Sequence, residues 1–186
     1  MVYPIYIYGQ PVLRKKAEKI SPEYPDIKNI VAGMWETMYS SEGVGLAAPQ
    51  IGLSIRLFVI DGEALSEDWP DAKGFKQTFI NAEIIEESGE SWYYNEGCLS
   101  VPGIREDVSR KSVIRIKYQD EDFRTHTKTF EGIRARVIQH EYDHTEGKLL
   151  VDHVSVIRKQ LLRKKLNDLI NGKATVNYKI QSVNLK

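Results

Sequence analysis

Cysteine is nearly absent from this 186-residue chain, Cys98 being the only one, so no internal disulfide can brace the fold and a reducing compartment is the expected setting. Net charge is absent as well, because 26 lysines and arginines balance 26 aspartates and glutamates. No global field would gather nucleic acid or an anionic surface, so neither specific DNA nor a membrane is an expected partner. No uninterrupted apolar run approaches the roughly 20 residues of a membrane-spanning helix. The opening Met-Val-Tyr-Pro-Ile-Tyr lacks the basic and apolar stretches of a secretory leader, which makes the cytoplasm the expected location. Histidine is scarce, with only His126, His140, His144 and His153.

Two of those four form the most informative segment, His140-Glu141-Tyr142-Asp143-His144. On a helix the i, i+4 spacing puts both imidazoles on one face, and Glu141 sits at their edge, so one short segment can supply two metal ligands and a base. Taken alone, the pattern also fits a structural ion or an ordinary helix. A third ligand has to decide.

At 41% hydrophobic and 28% charged, the length and composition fit one globular domain with a substantial core. Residues 26–40 carry an apolar stripe of Ile27, Ile30, Val31, Met34 and Met38, a helix that Asp26 can cap. Residues 43–50, small and glycine-bearing, predict a loop or short strand. Residues 56–60, 78–85, 92–94, 112–118 and 125–130 predict strands, rich in β-branched and aromatic side chains, with an acidic loop over 61–76. The motif helix spans 132–144, and Val137, His140, Glu141 and His144 share one of its faces. A second amphipathic helix, about 154–170, carries Leu162, Leu166 and Leu169 and stops at Gly172. The expected architecture is α+β: antiparallel strands packed around a central metal-binding helix, with a C-terminal amphipathic helix. Residues 1–172 are expected to form one catalytic domain and residues 173–186 a polar tail with a short strand at 176–180.

The third ligand can be sought by pattern. A continuation His-x-x-Gly-x-x-His finds Gly147 in place but Leu150 at the ligand position, and a downstream glutamate is excluded because Glu146 is the last one. Asp152, His153 and Asp168 are formally possible. Upstream, Glu96-Gly97-Cys98-Leu99-Ser100 offers a thiolate, a soft anionic ligand suited to ferrous iron or zinc.

Together with Gly43-Val44-Gly45-Leu46-Ala47-Ala48-Pro49-Gln50, these segments make three motifs in fixed order that resemble the peptide deformylase family, matching at every defining position over roughly 43–147. Pro11-Val12-Leu13-Arg14 is similar to that family's opening, whereas Thr145 stands where the family usually has leucine. The resemblance implies a hydrolase that removes the formyl group from N-formyl-methionyl nascent peptides. It assigns the metal to Cys98, His140 and His144, with water in the fourth position. One Fe2+ per chain is implied, replaceable by Zn2+, Ni2+ or Co2+. Glu141 would move the proton, and the Gln50 amide with the Leu99 backbone N–H would hold the developing oxyanion. Gly43, Val44, Gly45, Gly97, Ile133 and Val137 would bind substrate, with the two glycines of the first motif bare so that the peptide backbone can approach. Glu96 and Arg105 would stand near the pocket mouth or form a structural ion pair. Asp143 has no implied chemical role. The basic face of the last helix, Arg158, Lys159, Arg163, Lys164 and Lys165, is a solvated surface or a ribosome contact. The rival reading is a zincin-type metallopeptidase, which would cleave amides other than the formyl group.

Overall fold

The computed structural model describes residues 1–183. Its elements are β1 (Ile5–Tyr6), α1 (Ile27–Ser40), β2 (Gly45–Ala47), β3 (Leu57–Asp61), β4 (Lys76–Gly97), β5 (Arg105–Gln119), β6 (Thr125–Glu131), α2 (Gly132–Thr145), α3 (Val156–Ile170) and β7 (Ile180–Gln181). Strands β2-β3-β4-β5-β6 form one antiparallel sheet in that order, and β1 pairs with β7 in parallel. This is the expected α+β class. No helix among the described residues is long and apolar enough to cross a membrane.

β3 explains how the layers hold together. Its residues Leu57, Phe58, Val59 and Ile60 are all fully buried, and because strand side chains alternate, the two phases enter different cores. Phe58 and Ile60 meet Phe79, Ile114, Ile116 and, from α2, Ala135 and Ile138. Leu57 and Val59 meet Val31, Met34 and Met38 of α1. Each such side chain contributes roughly 1.5–3 kcal/mol by leaving water, so the strand pins both helices. α3 closes a third cluster, with Leu162, Leu166 and Leu169 against Ile7, Leu13, Val101 and Ile104.

Several local expectations are corrected. The separate strands at 78–85 and 92–94 are one strand, β4, because the 15-residue β5 continues the ladder past the polar stretch between them. That stretch reads as a turn since it faces solvent and carries register shifts, one of them around Gly89 at φ 73°. Asp26 does not cap α1: it sits at φ 60° with no side-chain bond to the helix backbone, and its carboxylate instead accepts from the Asn29 amide. Within residues 43–50 the expected short strand is present at Gly45–Ala47, and only the 3-10 turn after it, Ala48–Ile51, was not expected. The cap of α3 is Ser155, whose Oγ accepts the Arg158 N–H at 3.2 Å. The tail strand lies at Ile180–Gln181, paired with β1, and residues 184–186 of the expected tail fall outside the described residues. Thr145 is buried, and its hydroxyl donates to the Tyr142 carbonyl at 2.7 Å, so the helix end accommodates it.

Candidate metal and catalytic site

α2 runs beneath the sheet with His140 and His144 on successive turns, and the end of β4 delivers Cys98 to the same point. Cys98 Sγ lies 3.3 Å from His144 Nε2, and the ligand atoms of Cys98, His140 and His144 all fall within 4.8 Å of one another. A thiolate and two imidazoles at that spacing fit a tetrahedral metal with a fourth position left open.

The state of His140 follows from its neighbour. Its Nδ1 is 2.8 Å from Glu96 Oε2, and Glu96 also receives Arg110 Nε at 2.7 Å, Arg110 Nη2 at 3.0 Å and Arg136 Nη1 at 2.9 Å. Burial alone would raise the Glu96 carboxyl, but the His140 and Arg110 hydrogen bonds and charges outweigh it and hold the group far below the usual range. An ionised carboxylate can only accept. His140 therefore donates from Nδ1; burial would lower its pKa, but the hydrogen bonds and charges of Cys98 and Glu96 hold it well above the usual range, so a metal binding at Nε2 would displace that nitrogen's proton. Burial, reinforced by His140, pushes His144 down to about 3, which keeps that ring neutral and able to ligate.

Glu141 is 4% exposed, and burial pushes its carboxyl up to about 7. Its Oε2 has no hydrogen-bond partner among the described residues. A buried carboxylate oxygen without a donor is costly unless a ligand or substrate completes it or the group is protonated. Gln50, 2% exposed, sits on the 3-10 turn Ala48–Ile51. Its Oε1 accepts the Ala47 N–H at 2.8 Å, and its Nε2 donates to Ser100 Oγ at 3.1 Å with Cys98 Sγ at 3.7 Å. The amide is thereby oriented with its donor edge toward the cysteine.

These groups open onto a cavity of about 870 Å³. The expected site residues line it except His144, buried behind its partners, and Ile133, which is fully buried in the helix's inner side. Glu96 and Arg105 form no ion pair. Glu96 is taken by His140, Arg110 and Arg136, while Arg105 donates to Asn95 Oδ1 at 2.9 Å and to the Asn95 carbonyl at 2.6 Å. Glu96 is 4% exposed and so belongs beneath the cavity, not at a mouth. The bareness of Gly45 and Gly43 also has an internal cause. A Cβ on Gly45 would come within 2.7 Å of Glu141 Cγ and Cδ, and one on Gly43 within 2.9 Å of Leu99 Cδ1.

Arg110 and Arg136, 7% and 1% exposed, were not anticipated. Arg110 Nη1 also donates to Asp143 Oδ2 at 2.7 Å, and His153 Nε2 lies 2.6 Å from that same oxygen, so Asp143 links His153 to the buried arginine. A signal for both existed: Arg110 occupies the inward phase of β5 with Glu106 and Val108, and Arg136 lies one turn before His140.

A sequence model of the family described as polypeptide deformylase matches residues 2–160. The peptide deformylase of Flavobacterium johnsoniae is 53% identical over 97% of this chain and 96% of its own length. That of Christiangramia forsetii is 47% identical over 100% of this chain and 98% of its own. Among solved structures, a peptide deformylase from Legionella pneumophila superposes with a TM-score of 0.80 at 35% identity, covering 93% of this chain and 98% of that one. The peptide deformylase from Thermus thermophilus gives 0.79 at 40% identity, covering 90% and 96%.

Proposed function

This chain belongs to the polypeptide deformylase family, metal-dependent hydrolases that remove the N-formyl group from nascent polypeptides, and we propose that it does so with Cys98, His140 and His144 as ligands and Glu141 as the proton carrier. The observation that carries the assignment is the unpartnered Oε2 of buried Glu141, a residue that lines the same cavity as Cys98, His140 and Gln50.

When bound, the metal supplies Lewis acidity toward water and the formyl carbonyl. The chain's own groups do the rest. Glu141 takes a proton from the attacking water and delivers it to the departing amine nitrogen, without which a poor leaving group would not leave. A carboxyl near neutrality suits both halves of that task. Charge that develops on the formyl oxygen is met by Gln50 Nε2 and the Leu99 N–H. Among the described residues β2 has a sheet partner on one side only, so its outer edge, with Gly45 in the strand and Gly43 just before it, can take the substrate backbone as an added strand. Val44 and Val137 line the cavity as apolar walls for the methionine side chain, and Gly97 and Arg105 border it. The products are formate and a free amino terminus.

Ferrous iron is the proposed native metal. The Cys98 thiolate donates charge and blunts Lewis acidity, which favours an ion that changes coordination number easily over one that prefers a tetrahedral site. A cytoplasmic location is proposed on the single free thiol and the nascent-chain substrate. Ribosome contact through α3 is supported by the exposed Lys159, Arg163, Lys164 and Lys165, while Arg158 is drawn to Glu106 at 2.8 Å. The deciding assay compares formyl-Met-Ala with Met-Ala under anaerobic conditions. Formate release without dipeptide cleavage is expected, whereas cleavage of Met-Ala would place the chain with metallopeptidases.

A further inference from the structure

The family match ends at residue 160, yet the chain after α3 returns to the cleft. Thr175, Val176, Asn177 and Tyr178 line the same cavity as Gln50 and Glu141. The segment is held just beyond that point, where the Ile5 N–H donates to the Lys179 carbonyl at 2.8 Å and the Ile7 N–H to the Gln181 carbonyl at 3.1 Å. Ile180 packs on the α3 cluster and Tyr178 on the α1 cluster, so the tail is bound to two parts of the core.

From this anchored position the Tyr178 hydroxyl donates to the Leu99 carbonyl at 2.9 Å. The neighbouring carbonyls are held as well: Ser100 accepts the Tyr8 N–H at 2.8 Å, and Cys98 accepts the Val101 N–H at 2.9 Å. Residues 98–100 thus have every carbonyl tied, and the tail supplies the only side-chain tie to Leu99 among the described residues. A short segment that joins a metal ligand to an oxyanion donor needs such fixing, because a donor aimed a few tenths of an ångström away from the developing charge loses much of its effect.

We propose that residues 175–178 form a wall of the substrate cleft and that Tyr178 is a positioning residue, its hydroxyl holding Leu99 so that the Leu99 N–H keeps its aim at the formyl oxygen. This rests on the deformylase reading of Leu99. Thr175 and Asn177, exposed and polar, present a hydroxyl and an amide able to bond the peptide groups that follow the formyl-methionine. They make the tail a recognition element for the substrate beyond its first residue.

The test is steady-state formate release by the metal-loaded full chain on formyl-Met-Ala and formyl-Met-Ala-Ser, alongside metal content and melting temperature. Tyr178→Phe keeps the ring and removes one neutral hydrogen bond, so kcat should fall roughly 3- to 10-fold with KM and metal content unchanged and the melting temperature lowered by no more than about 2–4 °C, still well above the assay temperature. The double change Thr175→Ala, Asn177→Ala should raise KM for the longer peptide more than for the shorter one and leave kcat alone. Wild-type kcat in Tyr178→Phe, or a loss that only follows metal content or melting temperature, would overturn the positioning role. Equal KM changes on both peptides would overturn the recognition role. A wild-type chain that released no formate would refute the deformylase reading itself, and this assignment with it.

Discussion

The side chain of Glu141 occupies the space that a Cβ on Gly45 would need, with Cγ and Cδ 2.7 Å from that position and Oε1 closer still. The two residues come from different layers, one from the edge strand β2 and one from the helix beneath it, and their contact sets where the Glu141 carboxylate can stand. The helix cannot back away, because Ala135 and Ile138 hold it against the sheet.

Gly45→Ala should therefore act on the proton carrier without touching the metal. We expect full metal content and a loss of turnover on the order of 10²-fold, since misplacement by about 1 Å can cost that much. Formate release and metal analysis on the same preparation check it. Unchanged turnover would show that Glu141 has room to move.

Glu141→Gln keeps the shape and the hydrogen-bonding reach of the side chain but cannot carry a proton. Metal and peptide binding should survive while turnover drops by roughly 10²- to 10⁴-fold. Loss of metal in this variant would make Glu141 structural, and near-normal turnover would move the proton carrier elsewhere.

Gln50→Leu should retain the metal and lose about 10²-fold or more in kcat, as for removal of one oxyanion donor. Stability should fall too, because the Ala47 N–H and the Ser100 hydroxyl lose their partner, at about 1–3 kcal/mol for a buried group left unsatisfied. Chemical denaturation beside kinetics separates the two effects.

Glu96→Gln leaves Arg110 and Arg136 buried without their shared anion, a change that costs about 3–5 kcal/mol when one partner of a buried pair is removed. Metal affinity should weaken roughly 10- to 100-fold, since one neutral amide oxygen replaces the two carboxylate oxygens that His140 shares with Arg110 and Arg136, and the ring is oriented less firmly. The pH dependence has a definite sign. A carboxyl whose folded pKa is depressed stabilises fully above its unfolded value of 4.5 and loses that contribution as pH falls toward the lower folded value. The stability gap between wild type and Glu96→Gln should be constant from pH 7 to 5 and shrink below pH 4.5; a gap that widens in acid would contradict the assignment.

Cys98→Ala should lose metal and activity together, because two imidazoles remain without the anionic ligand. With the wild type, activity of protein purified without oxygen should decay in air and persist once nickel or cobalt replaces iron. Protein that holds zinc and works at full rate in air would refute the iron assignment.

What the sequence determined by itself was local and periodic. The spacing of His140 and His144 places both on one helix face in any fold, a short continuous apolar run marks β3 and alternation marks β5 as strands, and Gln50 and Cys98 stand in short motifs whose order resembles one family. Only tertiary structure decided which groups share a carboxylate, which glycine faces which side chain, and where the tail returns. Glu96 reads as a pocket residue until the side chain of Arg110, which stands opposite Trp92 in the β4–β5 ladder, reaches its carboxylate and α2 brings His140 and Arg136 to it. Tyr178 reads as part of a polar tail until β7 pairs with β1 and its hydroxyl reaches Leu99. The physical reason is the same in each case: helix and strand periods are properties of neighbours along the chain, whereas the partner of a buried polar group is set by packing between segments far apart in it.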